Sequence, residues 1–492
     1  MLKSNPFKNS YFELGQAFYQ SIKPTPVRNP ELIIFNQSLS DELGLDDTVL
    51  GSPAETAIYA GNLMPEGAQP LAMAYSGHQF GQFNPNLGDG RAILLGQVHN
   101  PDEYSFDIHL KGTGQTAFSR NGDGRAALGP VLREYLVSEA MARLGVPTTR
   151  ALAAVTTGEE VFRERLLPGG IITRVAASFV RIGTFEHFLA RRDRDSLARL
   201  ADYVIESHYP LLKEAENPYL ALLDAVIEGQ AALIAQWVQI GFIHGVMNTD
   251  NMSVVCETID YGPCAFMDHY AHDRVFSSID HHGRYAFKNQ PNIGLWNLTR
   301  FAECLLPLFD EDEDTAVDMV RERLEGFIRC YQSHWITGMR CKLGLGSSHD
   351  EDEALIEELF AIMASGNVDF TLTFYHLSLL DLNSANDTDV LALFDHDESF
   401  VQWLNRWRHR LRQEASDDDE RKTRMRRVNP VYIPRNHLVE AAIRAAEDHG
   451  DFSVFHVLHE VLQKPYEFQP GKEAYMQPPQ PHEVVHKTFC GT

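Results

Sequence analysis

The chain has 492 residues, of which 44% are hydrophobic and 23% are charged, a composition typical of a folded globular protein and not of a disordered one. Its formal net charge is −25, which disfavours the class of proteins that bind nucleic acid through bulk electrostatics. The length suggests several domain-sized units or one large enzyme with two lobes.

The first part of the chain is predicted to be rich in strands. Apolar residues that are continuous or alternate with polar ones predict strands at 92–98 and 106–111. Pro130 favours the start of a helix over 131–144, because proline suits the first turn. Further short strands and turns are expected over 150–181.

The second part of the chain is predicted to be helical, with apolar residues three and four positions apart. The predicted helices lie at 196–212, 219–240, 295–309, 315–343 and 353–365. The charged run at 417–427 is expected to be an exposed turn. The change from strands to helices predicts an α+β fold with a strand-rich lobe at 1–190, a helical lobe at 191–468 and a loosely packed tail at 469–492.

Cysteine usage and the absence of targeting patterns indicate a reducing compartment. The six cysteines include no Cys-x-x-Cys pair, so neither a disulfide scaffold nor a zinc ribbon is expected. No run of about 18 apolar residues is present, which predicts no membrane span. The first residues lack the apolar core of a signal peptide, and we expect a cytoplasmic protein.

Glycine-rich loops are the first candidate for a ligand site. The sequence Gly-Asp-Gly-Arg-Ala occurs at 88–92 and again at 122–126, and a Lys-Gly-Thr-Gly step lies between them at 111–114. Backbone N–H groups in such loops bind anions, and Arg matches phosphate oxygens. Neither a P-loop nor a dinucleotide-binding fingerprint is present. The alternative is a pair of hairpin turns in which Asp-Gly steps supply positive φ.

Charged residues near these loops are candidates for phosphate contacts. Lys111 ends a strand and Glu134 lies in the following helix, and in protein kinases a similar ion pair orients a phosphate-binding lysine. Glu139 is the second choice of partner, and a surface carboxylate is the alternative. Arg174 and Arg181 lie in an apolar stretch, where a charged side chain needs either bound phosphate or a structural salt bridge.

The segment 244–251 matches part of a kinase pattern. His-Gly-Val-Met-Asn-Thr-Asp-Asn, followed by Asp260-Tyr-Gly, keeps the spacing of His-Arg-Asp-x-x-x-x-Asn and a later Asp-Phe-Gly. Asn251 and Asp260 would supply oxygen ligands that suit Mg²⁺. The catalytic Asp of kinases is replaced by Val246, while Asp250 offers a carboxylate nearby. The pattern predicts either an inactive kinase or a kinase-like fold with different chemistry.

A second cluster of polar residues offers ligands for a hydrolase-type metal site. Its members are Asp268, His269, His272, Asp273, Asp280, His281 and His282. No His-Glu-x-x-His frame is present, and capping of loops is the alternative interpretation.

Long motifs along nearly the whole chain resemble the selenoprotein O family. They are YSGHQFGQFNPNLGDGRA at 75–92, LKGTGQTAFSRNGDGRAALGPVLREYLVSEAM at 110–141, ITRVAASFVRIGTFEHF at 172–188, HGVMNTDNMS at 244–253, DYGP at 260–263, DHHGRYAFKNQPNIGLWNL at 280–298 and NPVYIPRNHL at 429–438. The resemblance implies a protein-kinase-like fold that binds ATP in an orientation reversed relative to kinases. It also implies transfer of AMP to protein hydroxyl groups, and of UMP from UTP.

The resemblance assigns roles to individual residues. Asp250 would be the catalytic base, and Asn251 and Asp260 would hold Mg²⁺ or Mn²⁺. The implied nucleotide-binding residues are Gly88, Gly90, Arg91, Lys111, Asp123, Gly124, Arg174, Arg181 and Asp260. The reversed nucleotide would also explain Val246, because the phosphorus attacked is then the α one.

The implied partners are the nucleotide and protein substrates that bear Ser, Thr or Tyr hydroxyls, with no nucleic acid and no membrane. Two rival functions remain: a kinase that transfers the γ-phosphate, and a nucleotide-binding pseudokinase scaffold. The resemblance also implies a redox-active residue near the C-terminus, here Cys490. Residues 274–278 lack the cysteine of some bacterial relatives. We therefore expect a free thiol at Cys490, with Cys256 or Cys264 as the more local partner of any disulfide.

Overall fold

The computed structural model describes residues 7–45, 52–309, 312–383, 387–414 and 417–489. They form a mixed α/β protein with a strand-rich N-terminal region and a helical C-terminal region, which confirms the predicted order of element types. The strands are β1 (Tyr19–Ser21), β2 (Glu31–Phe35), β3 (Leu71–Met73), β4 (Gly77–Gln79), β5 (Gln82–Asn84), β6 (Ala92–His99), β7 (Ser105–Lys111), β8 (Ala126–Ala127), β9 (Arg150–Phe162), β10 (Leu166–Ala176), β11 (Phe242–Ile243) and β12 (Ala265–Phe266). The helices are α1 (Gln37–Glu42), α2 (Pro53–Tyr59), α3 (Leu128–Arg143), α4 (Ile182–Ala190), α5 (Arg194–His208), α6 (Pro218–Gln239), α7 (Gln290–Phe309), α8 (Glu313–Leu343), α9 (Asp352–Gly366), α10 (Phe370–Leu379), α11 (Thr388–Leu393), α12 (Glu398–Leu411), α13 (Asp418–Arg426), α14 (Asn436–His449) and α15 (Ser453–Leu462).

An antiparallel sheet of eight strands forms the N-terminal region. Its order is β1-β3-β6-β7-β10-β9-β2, and β8 pairs with β10. The strands predicted at 92–98 and 106–111 are present as β6 and β7. The expectation of short strands over 150–181 is wrong, because β9 and β10 form one long hairpin. The pairing of β9 with β10 shifts register twice, between Pro168 and Gly170 and between Thr173 and Arg174. Such bulges let the two strands stay paired where the apolar pattern is interrupted.

The sheet is covered on both faces. On β10, Ile172 packs in a cluster with α3, α14 and α15, while Ile171 packs in a second cluster with α1 and α2. Successive strand side chains point to opposite faces, so β10 is buried on both sides. Helix α3 begins at Leu128, earlier than predicted, with Pro130 in its first turn, where a missing N–H breaks no helical bond.

Helix α6 is the centre of the helical region and packs against α7 and α8. By length and composition it is the one helix among the described residues that would suit a membrane span. Leu222, Leu223, Val226 and Ile234 are fully buried inside the protein, so its apolar character is that of a core helix.

Two other predicted elements differ from the structure. The helix expected over 196–212 ends at His208, because Pro210 cannot continue its hydrogen bonds, and a 3₁₀ turn follows at Pro210–Glu214. The charged run at 417–427 is not a turn but helix α13, since acidic residues at its start and basic ones at its end suit the helix dipole. Near the end of the described chain, Thr488 is buried and forms an isolated β-bridge with Ser277.

Candidate active site

The end of β7, helix α3 and the turn after residue 259 meet in one network of charged side chains. Lys111 Nζ donates to Glu134 Oε2 at 2.7 Å and to Asp260 Oδ1 at 2.6 Å. Arg174, on the neighbouring strand β10, donates to Glu134 Oε1 at 3.1 Å. Burial opposes ionisation of both carboxyls, but Lys111 and Arg174 outweigh it and hold the pKa of each below its usual range. Glu134 and Asp260 are therefore carboxylates at neutral pH.

Sheet register explains why these cations lie together. Lys111 is opposite Ile172 and His109 is opposite Arg174 across β7 and β10, so Lys111, His109 and Arg174 share the face that α3 covers. Arg174 Nη2 donates to His109 Nδ1 at 2.7 Å. A ring nitrogen that accepts a hydrogen bond is unprotonated, and burial lowers the pKa of His109 to about 4, so the ring is neutral.

Asp89, in the first Gly-Asp-Gly-Arg loop, extends this network. Its Oδ2 lies 3.1 Å from His109 Nε2 and accepts from the Met73 backbone N–H at 3.1 Å. Its Oδ1 lies 4.0 Å from Arg181 Nη2. Asp89 thus joins the first glycine loop to both predicted phosphate-binding arginines. Asp89 is not among the site residues predicted from the sequence.

The two glycine loops cross other backbone segments closely. Gly88 has φ +94°, and a side chain there would overlap the Phe118 ring. Gly124 has φ +66°, and a side chain there would overlap the Gly114 backbone. Only glycine meets both demands, positive φ and close approach. The 112–125 loop consequently folds over the first loop, beside the end of β7.

The other predicted nucleotide-binding residues lie at different depths. Gly90 packs against the Phe118 carbonyl, which would be 2.8 Å from an added side chain. Asp123 is exposed and forms an ion pair with Arg163 at 2.7 Å, which lowers the pKa of the Asp123 carboxyl. A small cleft lies beside the ion-pair network. Its lining residues are Arg91, Lys111, Ala126, Pro130, Val131, Glu134, Ile172, Tyr261 and Gly262.

Asp250 is buried beneath the β4–β5 hairpin. Gln79 Nε2 donates to its Oδ2 at 3.1 Å, while Oδ1 has no hydrogen-bond partner among the described residues. Burial is the main cause that raises the pKa of Asp250 to about 7, against the opposing influence of Gln79 and Arg181. A carboxyl with a pKa near neutrality and one free oxygen has the properties of a general base.

The hairpin is fixed to the 244–251 loop by several hydrogen bonds. The backbone N–H of His78 donates to Thr249 Oγ1 at 2.7 Å, and that of Phe80 donates to Asn248 Oδ1 at 3.1 Å. Tyr285 Oη also donates to Asn248 Oδ1, at 2.6 Å. The sequence did not predict that the β4–β5 hairpin covers Asp250. The polar residues in the motif at 75–92 were its only sequence signal.

Arg181, at the N-terminal end of α4, connects Asp250 to the first glycine loop. It is buried, donates to the Asp250 backbone carbonyl at 3.1 Å and lies over the Tyr75 ring at 4.4 Å from the centroid. One guanidinium therefore links the Asp89 carboxylate to the Asp250 backbone.

The 251–260 segment turns back on itself through a bridge between Met252 and Thr258. Asn251 Nδ2 donates to the Val246 carbonyl at 3.0 Å, which leaves the amide oxygen as the free end of that side chain. Asp260 takes φ +66° and is half-buried. An amide oxygen and a carboxylate are ligands that Mg²⁺ or Mn²⁺ accepts, so the donor set fits such an ion.

Several candidate residues lie elsewhere. Glu139 binds Arg150 at 2.9 Å and not Lys111. In the 268–282 cluster, Asp268 pairs with Arg435 at 2.6 Å and Asp280 accepts from backbone N–H groups, so among the described residues no three of its members meet as metal ligands. Cys256 and Cys264 are buried, and neither forms a disulfide with another described residue. Cys490 lies outside the described residues.

Comparison with known proteins identifies the family. A model of the family described as "Protein adenylyltransferase SelO" matches residues 2–463. A protein of Rhizobium etli named "Protein nucleotidyltransferase YdiU" is 58% identical over 486 residues, which cover 99% of this chain and 97% of the relative. Relatives of the same name from Rhizobium meliloti and Rhodopseudomonas palustris are 57% and 56% identical, with 99% of both chains covered in each case. The chain belongs to the SelO family.

Proposed function

We propose that this chain transfers AMP from ATP to Ser, Thr or Tyr hydroxyl groups of protein substrates and releases pyrophosphate. As a SelO-family member it is a protein nucleotidyltransferase. The observation that carries the proposal is Asp250, a buried carboxyl with a pKa of about 7 and one unpartnered oxygen, whose backbone carbonyl accepts a hydrogen bond from Arg181. UTP is the alternative nucleotide, with UMP then transferred.

The arrangement supports a protein-kinase-like fold. A strand lysine, Lys111, is held by a helix glutamate, Glu134, as kinases hold their phosphate-binding lysine. Asn251 and Asp260 follow the kinase spacing and are brought back toward each other by the intervening bridge. We assign residues 1–190 to an N-terminal lobe, 191–468 to a C-terminal lobe and 469–492 to a tail.

We assign phosphate binding to the cations near the cleft. Lys111, Arg174 and Arg181 would neutralise the β- and γ-phosphates, which become the pyrophosphate leaving group. Arg91 lines the same cleft. The glycine loops, with Gly88, Gly90, Asp123 and Gly124, would cover the nucleotide. With the β- and γ-phosphates bound to these three cations, the α-phosphorus would face Asp250.

Asn251 and Asp260 are the residues that would hold Mg²⁺ or Mn²⁺. The bound ion would lower the negative charge on the reacting phosphate. In the described structure Asp260 already contacts Lys111, so this carboxylate is oriented toward the phosphate side of the cleft.

Asp250 would take the proton of the substrate hydroxyl at its free oxygen, Oδ1. The hydroxyl oxygen forms a bond to the α-phosphorus, the bond from the α-phosphorus to the pyrophosphate oxygen breaks, and the proton moves to Asp250. Gln79 holds the other carboxylate oxygen and so orients the base. Val246 lies where kinases place their base, is buried, and has no group for proton transfer.

The remaining partners follow from charge and packing. The net charge of −25 disfavours nucleic acid, and α6 is used as a core helix, so we propose neither a nucleic-acid nor a membrane partner. We place the protein in the cytoplasm.

Mass spectrometry of protein substrates tests this function. A candidate substrate is incubated with the full-length protein, ATP and Mg²⁺ or Mn²⁺, and peptides are searched for an added AMP. AMP on a Ser, Thr or Tyr, absent with the Asp250→Asn variant, is the expected result. An added phosphate in place of AMP would identify the kinase alternative, and no modification with retained nucleotide binding would identify the scaffold.

A further inference from the structure

Three potential metal ligands of different chemical type meet on the surface between α6 and α8. They are Glu228 on α6 and Cys330 and His334 on α8, and their ligand atoms all lie within 4.8 Å of one another. Cys330 Sγ is 2.6 Å from Glu228 Oε2, and His334 Nε2 is 2.7 Å from Glu228 Oε1. No other group of three such residues is found in the described part of the chain.

The helix pair fixes these residues in register. Cys330 and His334 are four positions apart, so they lie on one face of α8, one turn from each other. An ion pair between Asp224 and Arg323, at 3.1 Å, joins α6 to α8 on one side of the cluster. On the other side Gln239 Nε2 donates to the His334 carbonyl at 3.0 Å. The three ligands are thus carried by rigid helices and not by loops.

We propose that Glu228, Cys330 and His334 form a surface site for a divalent transition-metal ion of the Zn²⁺ class. A thiolate and an imidazole select such an ion over Mg²⁺, which prefers oxygen ligands. Three protein ligands leave a coordination position for water, as in other open zinc sites. This ligand set contains sulfur and shares no residue with Asn251 and Asp260.

The observed distances are compatible with coordination after small side-chain rotations. Tetrahedral coordination at ordinary zinc bond lengths separates the ligand atoms by about 3.4–3.6 Å. The carboxylate of Glu228 now lies closer than that to both partners, and its side chain is 63% exposed, so it has room to rotate outward. Cys330 and His334 remain on their helix.

Metal binding replaces a hydrogen bond by a coordinate bond. In the metal-free state burial and the neighbouring Glu228 raise the pKa of the Cys330 thiol to about 12, so the S–H group donates to the Glu228 carboxylate. When the ion binds, the S–H bond breaks, the sulfur–metal bond forms and the thiol proton goes to solvent. His334 Nε2, which donates to Glu228 before the ion binds, gives up its proton to solvent while Nδ1 takes one up, so that the neutral ring coordinates through Nε2. No electron is transferred in this step.

Cobalt substitution of the full-length protein tests the site. Metal-free protein, kept reduced, is titrated with Co²⁺ in the presence of excess Mg²⁺, and the near-ultraviolet thiolate-to-cobalt charge-transfer band is recorded. We expect a band that saturates at one Co²⁺ per chain, disappears on addition of Zn²⁺, and is absent in Cys330→Ser. His334→Ala and Glu228→Gln should each weaken Co²⁺ binding by at least ~10-fold, because each removes one ligand.

Cys341 provides the matched control, because it is an exposed free cysteine on the same helix. Cys341→Ser should keep the full band. Far-ultraviolet circular dichroism checks that each variant is folded, and Glu228→Gln, at an exposed position, tests the site if Cys330→Ser does not fold. No thiolate band in the wild-type protein, or a band that survives Cys330→Ser or is lost in Cys341→Ser, would overturn the proposal.

Discussion

Asp250→Asn distinguishes a general base at this position from a metal ligand or a loop cap. If Asp250 is the base, the substitution should both slow AMP transfer and stabilise the fold. Loss of a positioned general base lowers the rate by ~10²–10⁴-fold. ATP affinity should change little, since no phosphate contact is removed. The residual carbonyl oxygen of Asn can still accept from Gln79, which preserves the local geometry.

The stability gain follows from the pKa. Burial raises the pKa of Asp250 from 3.8 to about 7 in the folded protein, so above pH 7 the fold holds a carboxylate that would be more stable when unfolded. A shift of this size corresponds to about 4 kcal/mol of unfolding free energy. The wild-type protein loses this amount of stability as the pH rises from ~4 to ~7, because the buried carboxyl must give up its proton. The Tm of Asp250→Asn should therefore exceed that of the wild type at pH 8, and the two should converge near pH 4.

The assay combines initial rates of AMP transfer with thermal unfolding across this pH range. The wild-type rate should rise through about pH 7, as the base loses its proton. Asp107 is the matched control: burial also raises the pKa of its carboxyl to about 7, but both of its oxygens accept hydrogen bonds, from Gln97 and the Phe179 backbone. Asp107→Asn should keep the wild-type rate of AMP transfer, because neither oxygen of Asp107 is free to accept a proton from a substrate hydroxyl.

Three outcomes would refute the assignment of Asp250. Activity retained in Asp250→Asn would exclude a base. A parallel loss of ATP affinity that excess Mg²⁺ or Mn²⁺ restores would identify a metal ligand. Loss of stability with normal specific activity would identify a loop cap. Adding Val246→Asp to Asp250→Asn should not restore AMP transfer, and a rescue would contradict the reversed nucleotide.

Three further predictions concern the surroundings of the base. Asp260→Ala should abolish metal-dependent nucleotide binding and Asn251→Ala should weaken it less, because only the first removes a charge; isothermal titration with ATP and Mn²⁺ checks this, and unaltered binding in both would misplace the metal site. Lys111→Met and Glu134→Gln should reduce ATP affinity and transfer to a similar extent in folded protein, and wild-type kinetics in the lysine variant would remove it from phosphate binding. Gln79→Ala should raise the apparent pKa of the rate profile, since Gln79 favours the carboxylate form of the base, and an unshifted profile would show that Gln79 does not orient it.

Local patterns predicted those parts of the fold that depend on local interactions. The alternation in 106–111 was sufficient for β7, and apolar spacing located α6 and α8 to within two residues. Charge pattern was misread at 417–427, where the sign change along the segment stabilises a helix. The length of the β9–β10 hairpin was missed because bulges conceal the period of a strand.

In the candidate site, too, residues within one local pattern could be predicted from the sequence, and residues placed by tertiary packing could not. Spacing within one short segment is the basis for predicting Asn251 and Asp260 as metal ligands. A strand and the helix that follows it predict the pair of Lys111 and Glu134, which the structure shows as an ion pair. Gln79 was not found, since it reaches Asp250 across 171 residues of sequence through a hairpin whose position depends on tertiary packing. Asp89 was missed because its sequence neighbours are shared with Asp123, and only burial distinguishes the two.

Paired incubations with α-labelled and γ-labelled ATP distinguish transfer of AMP from transfer of the γ-phosphate. Full-length protein, a protein substrate and Mg²⁺ or Mn²⁺ are present in both, and label that remains on denatured protein is counted. We expect incorporation of the α-label alone, and its loss in Asp250→Asn. Incorporation of the γ-label alone would identify a kinase, absence of both labels would identify a nucleotide-binding scaffold, and either result would contradict the proposed transfer of AMP.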